Sequence, residues 1–308
     1  MKFTVYQDSL QGPRPHNQDR LAYSYSKDAL LLVIADGMGG HRHGELAAQL
    51  AVKTLTDAFQ TQATPTLLDP AKFLTEHIQL THEAIERLMI AEDLLESPRT
   101  TIVAVIVQEN TLYCAHVGDS RLYLFRDQRL QFRTEDHSLV QMLFLKGQIS
   151  QQEMLTHPER HKIYNCLGGN ITPQIELAPT QNLHSGDILL LCTDGLWSAL
   201  SDQEINEVLH DGYITNTVPR LLNEAESASG KDGDNVSAIG LQWGARADDS
   251  LLAISTVTMP LDATTTIINP LTHQLRDGDA ATIADLTDDE IERAIAEIQS
   301  ALKKSQRS

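Results

Sequence analysis

Short apolar runs that stop at turn residues alternate along this chain with longer stretches of helical spacing. Leu30-Leu31-Leu32-Val33-Ile34-Ala35 stops at Asp36-Gly37-Met38-Gly39-Gly40, and Ile188-Leu189-Leu190-Leu191-Cys192-Thr193 stops at Asp194-Gly195. Such bounded runs predict buried strands. Residues 3–6 and 21–25 predict two more, on either side of the Gly12-Pro13-Arg14-Pro15 turn. Residues 100–107, 112–117, 121–125 and 130–133 follow one another through short polar turns, which predicts an antiparallel meander. Residues 187–193 and 236–243 complete the strand set. Helical spacing is clearest over 44–59, where Ala47, Ala48, Ala51, Val52, Leu55 and Phe59 form one apolar face. It returns over 70–91, with Leu74, Ile78, Ile85, Leu88 and Met89 inward, and over 201–209 and 217–229. Ser201 and Glu204 form a capping box. Strands and helices fall in blocks, so the class is α+β.

Two segments break the pattern. Residues 138–182 are mixed and irregular, and a long stretch of that kind inside a domain is often functional. After Trp243 the chain changes character. Residues 244–249 read as a linker, and 251–270 are Thr-rich. Residues 287–304 read as a helix, with Thr287 and Glu290 as capping box and Ile291, Ile295, Ile298 and Leu302 as a narrow stripe. The expected organisation is a main domain over 1–243, a linker and Thr-rich segment over 244–286, and an amphipathic helix over 287–304. The stripe either packs on the main domain or docks to a partner or a second copy, and the tail is read as a docking or regulatory appendage, with Thr256, Thr258, Thr264, Thr265 and Thr266 as candidate phosphorylation sites.

Composition narrows the class. The 308 residues suffice for one full core and an appendage, and 41% hydrophobic content suits a globular protein. No apolar stretch is long enough to span a bilayer, and the N-terminus lacks a signal-peptide apolar region, so a cytoplasmic location is expected. Three widely spaced cysteines, Cys114, Cys166 and Cys192, argue against a disulfide framework. A net charge of 24 minus 42, or −18, disfavours nucleic acid and anionic membrane as partners. The same field favours a substrate carried on a neutral or basic segment.

Candidate chemistry lies at the strand ends. A carboxylate closing a core strand costs free energy unless it is paired or metal-bound. Besides Asp36 and Asp194, Asp119 follows the run 112–118, and Asp234-Asn235 precedes the run 236–241. Four acidic residues at four strand ends suggest one oxygen-rich site for a hard divalent cation such as Mg²⁺ or Mn²⁺. Asp-Gly is also a common turn dipeptide, as Asp211-Gly212, Asp232-Gly233 and Asp277-Gly278 illustrate. On spacing alone the turn and metal readings stand level.

Order decides between them. Arg14-Pro15-His16-Asn17-Gln18-Asp19, Asp36-Gly37-Met38-Gly39-Gly40, Gly118-Asp119-Ser120-Arg121, Asp194-Gly195 and Asp234-Asn235 occur in this sequence. Asp136-His137-Ser138-Leu139-Val140 and Cys166-Leu167-Gly168-Gly169 fit the same pattern. The set resembles the metal-dependent type 2C Ser/Thr protein phosphatases, most closely compact bacterial members, over about residues 1–243. The resemblance implies two packed antiparallel β-sheets flanked by helices on both outer faces, an αββα sandwich. It implies hydrolysis of phosphoserine and phosphothreonine in proteins by a metal-bridged hydroxide, reversing a bacterial Ser/Thr kinase. It implies two core Mn²⁺ or Mg²⁺ ions and a third held more weakly. Asp36 would bridge, with the Gly37 carbonyl, Asp194 and Asp234 beside it and Asp19 acting through water. Asp119, with Asp194, would hold the third ion. Arg14 would bind phosphate with its planar fork, and Asn235 would orient Asp234. Residues 138–182 correspond to the family's flap.

The chain also departs from that pattern. Met38 stands where many eukaryotic members have a His thought to protonate the leaving alcohol, and His41 and His43 are nearby. Pro98-Arg99 replaces a Met-Gly pair before Thr100-Thr101, which leaves Arg99 either at the site or in solvent. Tyr164-Asn165 replaces the usual Thr-Arg of the flap. Two other classes compete: a regulatory module that keeps the fold, and a small-molecule phosphohydrolase. The first would show loss of a metal aspartate, and none is lost. For the second, no nucleotide-binding loop is present.

Overall fold

Both apolar runs that end in Asp-Gly become strands covered on each face. The computed structural model describes residues 1–38, 43–91, 94, 96–244 and 253–268. Its strands are β1 (Lys2–Leu10), β2 (Asp19–Tyr25), β3 (Ala29–Met38), β4 (Arg99–Thr100), β5 (Ile102–Gln108), β6 (Thr111–Val117), β7 (Arg121–Arg126), β8 (Arg129–Arg133), β9 (Glu176–Leu177), β10 (Gln181–Asn182), β11 (Ile188–Cys192), β12 (Val236–Trp243), β13 (Ile254–Ser255) and β14 (Thr265–Ile268). Its helices are α1 (His43–Gln62), α2 (Pro70–Ala91), α3 (Leu139–Leu145), α4 (Gln151–Thr156), α5 (Asp194–Trp197), α6 (Asp202–His210) and α7 (Ile214–Ser229). One sheet runs β13-β1-β12-β11-β7-β8 and the other β10-β6-β5-β3-β2-β14, with antiparallel pairing throughout.

Strand periodicity of two divides each central strand between two cores. In β3, Leu30, Leu32 and Ile34 face the other sheet, while Leu31, Val33 and Ala35 face α1 and α2. In β11, Leu189 and Leu191 point between the sheets, and Ile188, Leu190 and Cys192 pack on α6 and α7. Burial on both sides explains why these strands read as unbroken apolar runs. The layers are helix, sheet, sheet, helix, as the resemblance implied.

The structure adds what the sequence pattern did not supply. The flap carries two short helices, α3 and α4, instead of uniformly irregular chain. Ser138 caps the first, and Ser150 with Glu153 forms a capping box on the second. The Thr-rich segment does not hang free. β13 pairs with β1 at the edge of one sheet, and β14 pairs with β2 at the edge of the other. Between them, Thr256 is fully buried; its Oγ1 accepts from the Met1 ammonium at 2.7 Å and donates to the Lys27 carbonyl at 2.6 Å. That burial removes Thr256 from the candidate phosphorylation sites. The expected helix over 287–304 and His41 lie outside the described residues.

Candidate metal centre

Register brings the aspartates together. Asp19 and Asp36 are cross-strand partners in the β2–β3 ladder. Cys192 pairs with Ala238, so Asp194 just after β11 and Asp234 just before β12 emerge at the same sheet end. Asp119 sits in the short β6–β7 connection at that end. Asp36, Asp119, Asp194 and Asp234 line one cavity of about 1350 Å³ with Gly37, Met38, His16, His43 and Arg14. Asp19 lies beneath it. Its Oδ2 accepts from Ser237 Oγ at 2.6 Å and Thr193 Oγ1 at 2.9 Å.

The glycines after Asp36 and Asp194 are required by close packing. A Cβ on Gly37 would lie 2.7 Å from the Gln18 carbonyl oxygen and would also strike Gly44. A Cβ on Gly195 would strike the Asn235 carbonyl. Neither position is in the left-handed region, so these pairs are not ordinary Asp-Gly turns. Asp194 opens helix α5 rather than a turn.

Backbone anchors hold the carboxylates. The Asp36 N–H donates to Thr101 Oγ1 at 3.1 Å, and its carbonyl accepts from Thr100 Oγ1 at 2.8 Å. Thr101 Oγ1 also meets Ser120 Oγ at 2.7 Å, linking the Asp36 strand to the Asp119 turn. Trp197 Nε1 donates to the Asp119 carbonyl at 2.9 Å. Arg121 lies 3.6 Å over the Trp197 ring and forks onto Asp136 at 2.8 and 2.7 Å. Ser120 and Arg121 thus brace the turn. The Asn235 backbone N–H reaches Asp234 Oδ1 at 2.8 Å. Its side chain donates to the carbonyls of Gln11 and His16 and accepts from the Gln18 N–H, fastening the loop that carries Arg14.

Burial sets the electrostatics. It pushes Asp36 and Asp194 well above the usual carboxylate range, and their carboxylate neighbours push them further. Asp119 is raised to about 7, by burial first and then by Asp136, and Asp19 to about 6, again chiefly by burial. Asp194 Oδ1 is buried without a hydrogen-bond partner among the described residues. A hard divalent cation supplies what such an all-oxygen set calls for, positive charge at short range. Asp36, Asp194, Asp234, Asp119 and the Gly37 carbonyl fit that requirement. At the rim, Arg14 Nη2 lies 2.7 Å from Asp234 Oδ2.

The structure decides between the two alternatives for Arg99, and it adds two residues that the sequence-based expectations missed. Arg99 faces Gly169 and solvent, away from the cavity. Arg160 and His161 of the flap line the cavity, with His161 Nδ1 3.9 Å from Asp194 Oδ2. The basic run Arg160-His161-Lys162 was the available signal for them.

His116, His137 and Glu176 form a second cluster of metal-type ligands. Hydrogen bonding assigns it otherwise. His137 Nδ1 accepts from the Gly118 N–H at 3.1 Å and from Asn165 Nδ2 at 2.7 Å, so its proton sits on Nε2, 3.2 Å from Glu176. A protonated nitrogen cannot ligate a cation, and the trio reads as a clamp between the Asp119 turn and the flap.

Comparison with known proteins agrees with this geometry. A family model described as Protein phosphatase 2C matches residues 13–230. Serine/threonine phosphatase stp of Listeria monocytogenes is 34% identical over 228 residues, covering 72% of this chain and 89% of its own length. The crystal structure of the Mycobacterium tuberculosis serine/threonine phosphatase PstP/Ppp aligns with TM-score 0.71 and 32% identity, over 80% of this chain and all of that one (100%). The catalytic domain of PstP in complex with two manganese ions aligns with TM-score 0.67 and 31% identity, over 78% and 98% of the two chains.

Proposed function

The chain belongs to the protein phosphatase 2C family, and from that membership we propose how its residues share the reaction. The protein hydrolyses phosphoserine and phosphothreonine in proteins, and the reaction depends on divalent metal, Mn²⁺ or Mg²⁺ with two ions in the core site. The observation that carries the residue assignment is the convergence of Asp36, Asp119, Asp194 and Asp234 on one cavity with Arg14 at its mouth. Bound ions supply charge neutralisation of the phosphate and activation of water. Asp36, Asp194, Asp234 and the Gly37 carbonyl would hold the core pair. Asp19, held beneath the cavity by the Ser237 and Thr193 hydroxyls, would act on the ions through water. Asp119 contributes to a third, weaker position.

Arg14 orients the phosphate. Its guanidinium already spans from the rim to Asp234, so a phosphoryl group bound there meets the fork and the metal ligands together. Met38 supplies no proton to the leaving alcohol. His161 is also a poor proton donor, because burial and then the neighbouring Arg160 hold its imidazole below the usual range.

A Ser/Thr protein kinase must create the phosphoester that this enzyme removes, and we place this enzyme in the cytoplasm. Support comes from three free cysteines and from the lack, among the described residues, of any helix long and apolar enough to cross a membrane. The test is phosphate release from phosphothreonine and phosphotyrosine peptides with Mn²⁺, Mg²⁺ or chelator. Metal-dependent turnover of the phosphothreonine peptide is expected. Equal turnover in chelator would contradict the reading.

A further inference from the structure

The flap brings a cation to the acidic cavity. Its turn over residues 157–163 contributes Arg160 and His161 to the lining, which also includes Ser229 at the end of α7 and Asp232 and Gly233 just beyond it. Two overlapping turns shape it: the Arg160 N–H donates to the His157 carbonyl at 3.1 Å, and the Lys162 N–H to the Glu159 carbonyl at 3.0 Å. The turn is fixed at its base. The Leu139 N–H donates to the Lys162 carbonyl at 2.8 Å and the Tyr164 N–H to the His137 carbonyl at 3.0 Å. Arg160 is therefore carried on backbone tied to the segment that braces Asp119.

The cations nearby differ in what they already hold. Arg14 is bonded to Asp234, and Lys162 is paired with Glu159 at 3.2 Å. Arg160 is solvent-exposed and makes no side-chain hydrogen bond or ion pair among the described residues. Its neighbour His161 lies 3.9 Å from Asp194, which places the turn at the edge of the metal centre. An extended peptide advances about 3.3 Å per residue. Positions one or two removed from the phosphoresidue thus fall within reach of an arginine side chain beside the metals.

We propose that Arg160 is a specificity residue that binds an anionic side chain, a carboxylate or a second phosphate, close in sequence to the phosphoresidue being hydrolysed. The proposal rests on the phosphatase reading and adds a substrate class to it. It runs against the overall charge of −18, which favours neutral or basic segments. Range separates the two effects. At physiological salt the Debye length is about 8 Å, so distant carboxylates are screened while a direct guanidinium contact is not.

Three phosphothreonine peptides test it at saturating Mn²⁺ and physiological ionic strength, flanked by serine, by glutamate or by the non-hydrolysable phosphonate analogue of phosphoserine, the last called the phosphoserine peptide below. For the unaltered protein, kcat/KM for the glutamate and phosphoserine peptides should exceed that for the serine peptide by about fivefold, mainly through KM. Arg160→Ala should bring both ratios to one, Arg160→Lys should keep part of them, and Arg160→Glu should invert them. A preference confined to phosphoserine would assign the site to a second phosphate, and one confined to glutamate would assign it to a carboxylate. Ratios of one in the unaltered protein, or ratios unchanged in Arg160→Ala, would overturn the proposal. So would an equal loss on all three peptides, which would put Arg160 on the scissile phosphate. No metal-dependent turnover of any peptide by the unaltered protein would overturn both this and the phosphatase reading.

Discussion

Asp19 and Asp36 face each other across one ladder rung, and burial makes both reluctant to ionise together. Asp19 rises from its ordinary 3.8 to about 6 and Asp119 from 3.8 to about 7. A carboxyl raised in the folded state contributes stability that is present below its unfolded value and lost as pH climbs through the folded one. The metal-free fold therefore loses this contribution between about pH 4 and 7. Bound Mn²⁺ offsets the loss, because it needs the same groups deprotonated. The rise in Tm on saturating with Mn²⁺ should be larger at about pH 8 than at about pH 5.5; an equal rise at both would contradict the electrostatic account. Arg14→Ala should lower kcat/KM on phosphopeptides by about thirtyfold, the equivalent of about 2 kcal/mol. Mn²⁺ affinity, read by titration calorimetry, should not fall, since Arg14 supplies no ligand atom and its loss frees Asp234 from their ion pair. Unchanged kinetics would make Arg14 a loop residue. The aspartates were legible because each closes or opens an apolar strand. The Asn235 and Thr101 contacts were not, since the hydrogen bonds to Gln18 and Asp36 join positions 217 and 65 residues apart.

Central strands and long helices were plain in the sequence, because burial on both faces and the 3.6-residue period write themselves into it. The flap helices span only 7 and 6 residues, and Leu139–Leu145 is almost wholly apolar, so no helical period shows. The edge strands β13 and β14 have 2 and 4 residues, too few for alternation to register. Those edges alter what deletion should do. Removing residues 269–308 should leave peptide hydrolysis intact and Tm within about 2 °C. Removing 245–308 strips an edge strand from each sheet and unpairs the Met1 ammonium, and should lower Tm by more than about 5 °C. Equal thermal unfolding curves for the two truncations would mean that the strap adds nothing to the fold.

At the scale of the molecule, the two sheets bring β2–β3 and β11–β12 to a common end, and the acidic site exists only where they meet. The central claim is that this convergence makes a metal-dependent phosphatase, and an isosteric change at its middle tests it most directly. Phosphate release from a phosphothreonine peptide is measured across a Mn²⁺ titration for the unaltered protein, Asp36→Asn and Asp211→Asn. Asp211 belongs to an ordinary surface Asp-Gly pair and is bonded to Arg220, so it serves as the control. The account predicts Mn²⁺-dependent release by the unaltered protein and by Asp211→Asn. It predicts a loss of about 100-fold or more in Asp36→Asn, with the fold preserved. Near-normal, Mn²⁺-dependent release by a folded Asp36→Asn protein would contradict it.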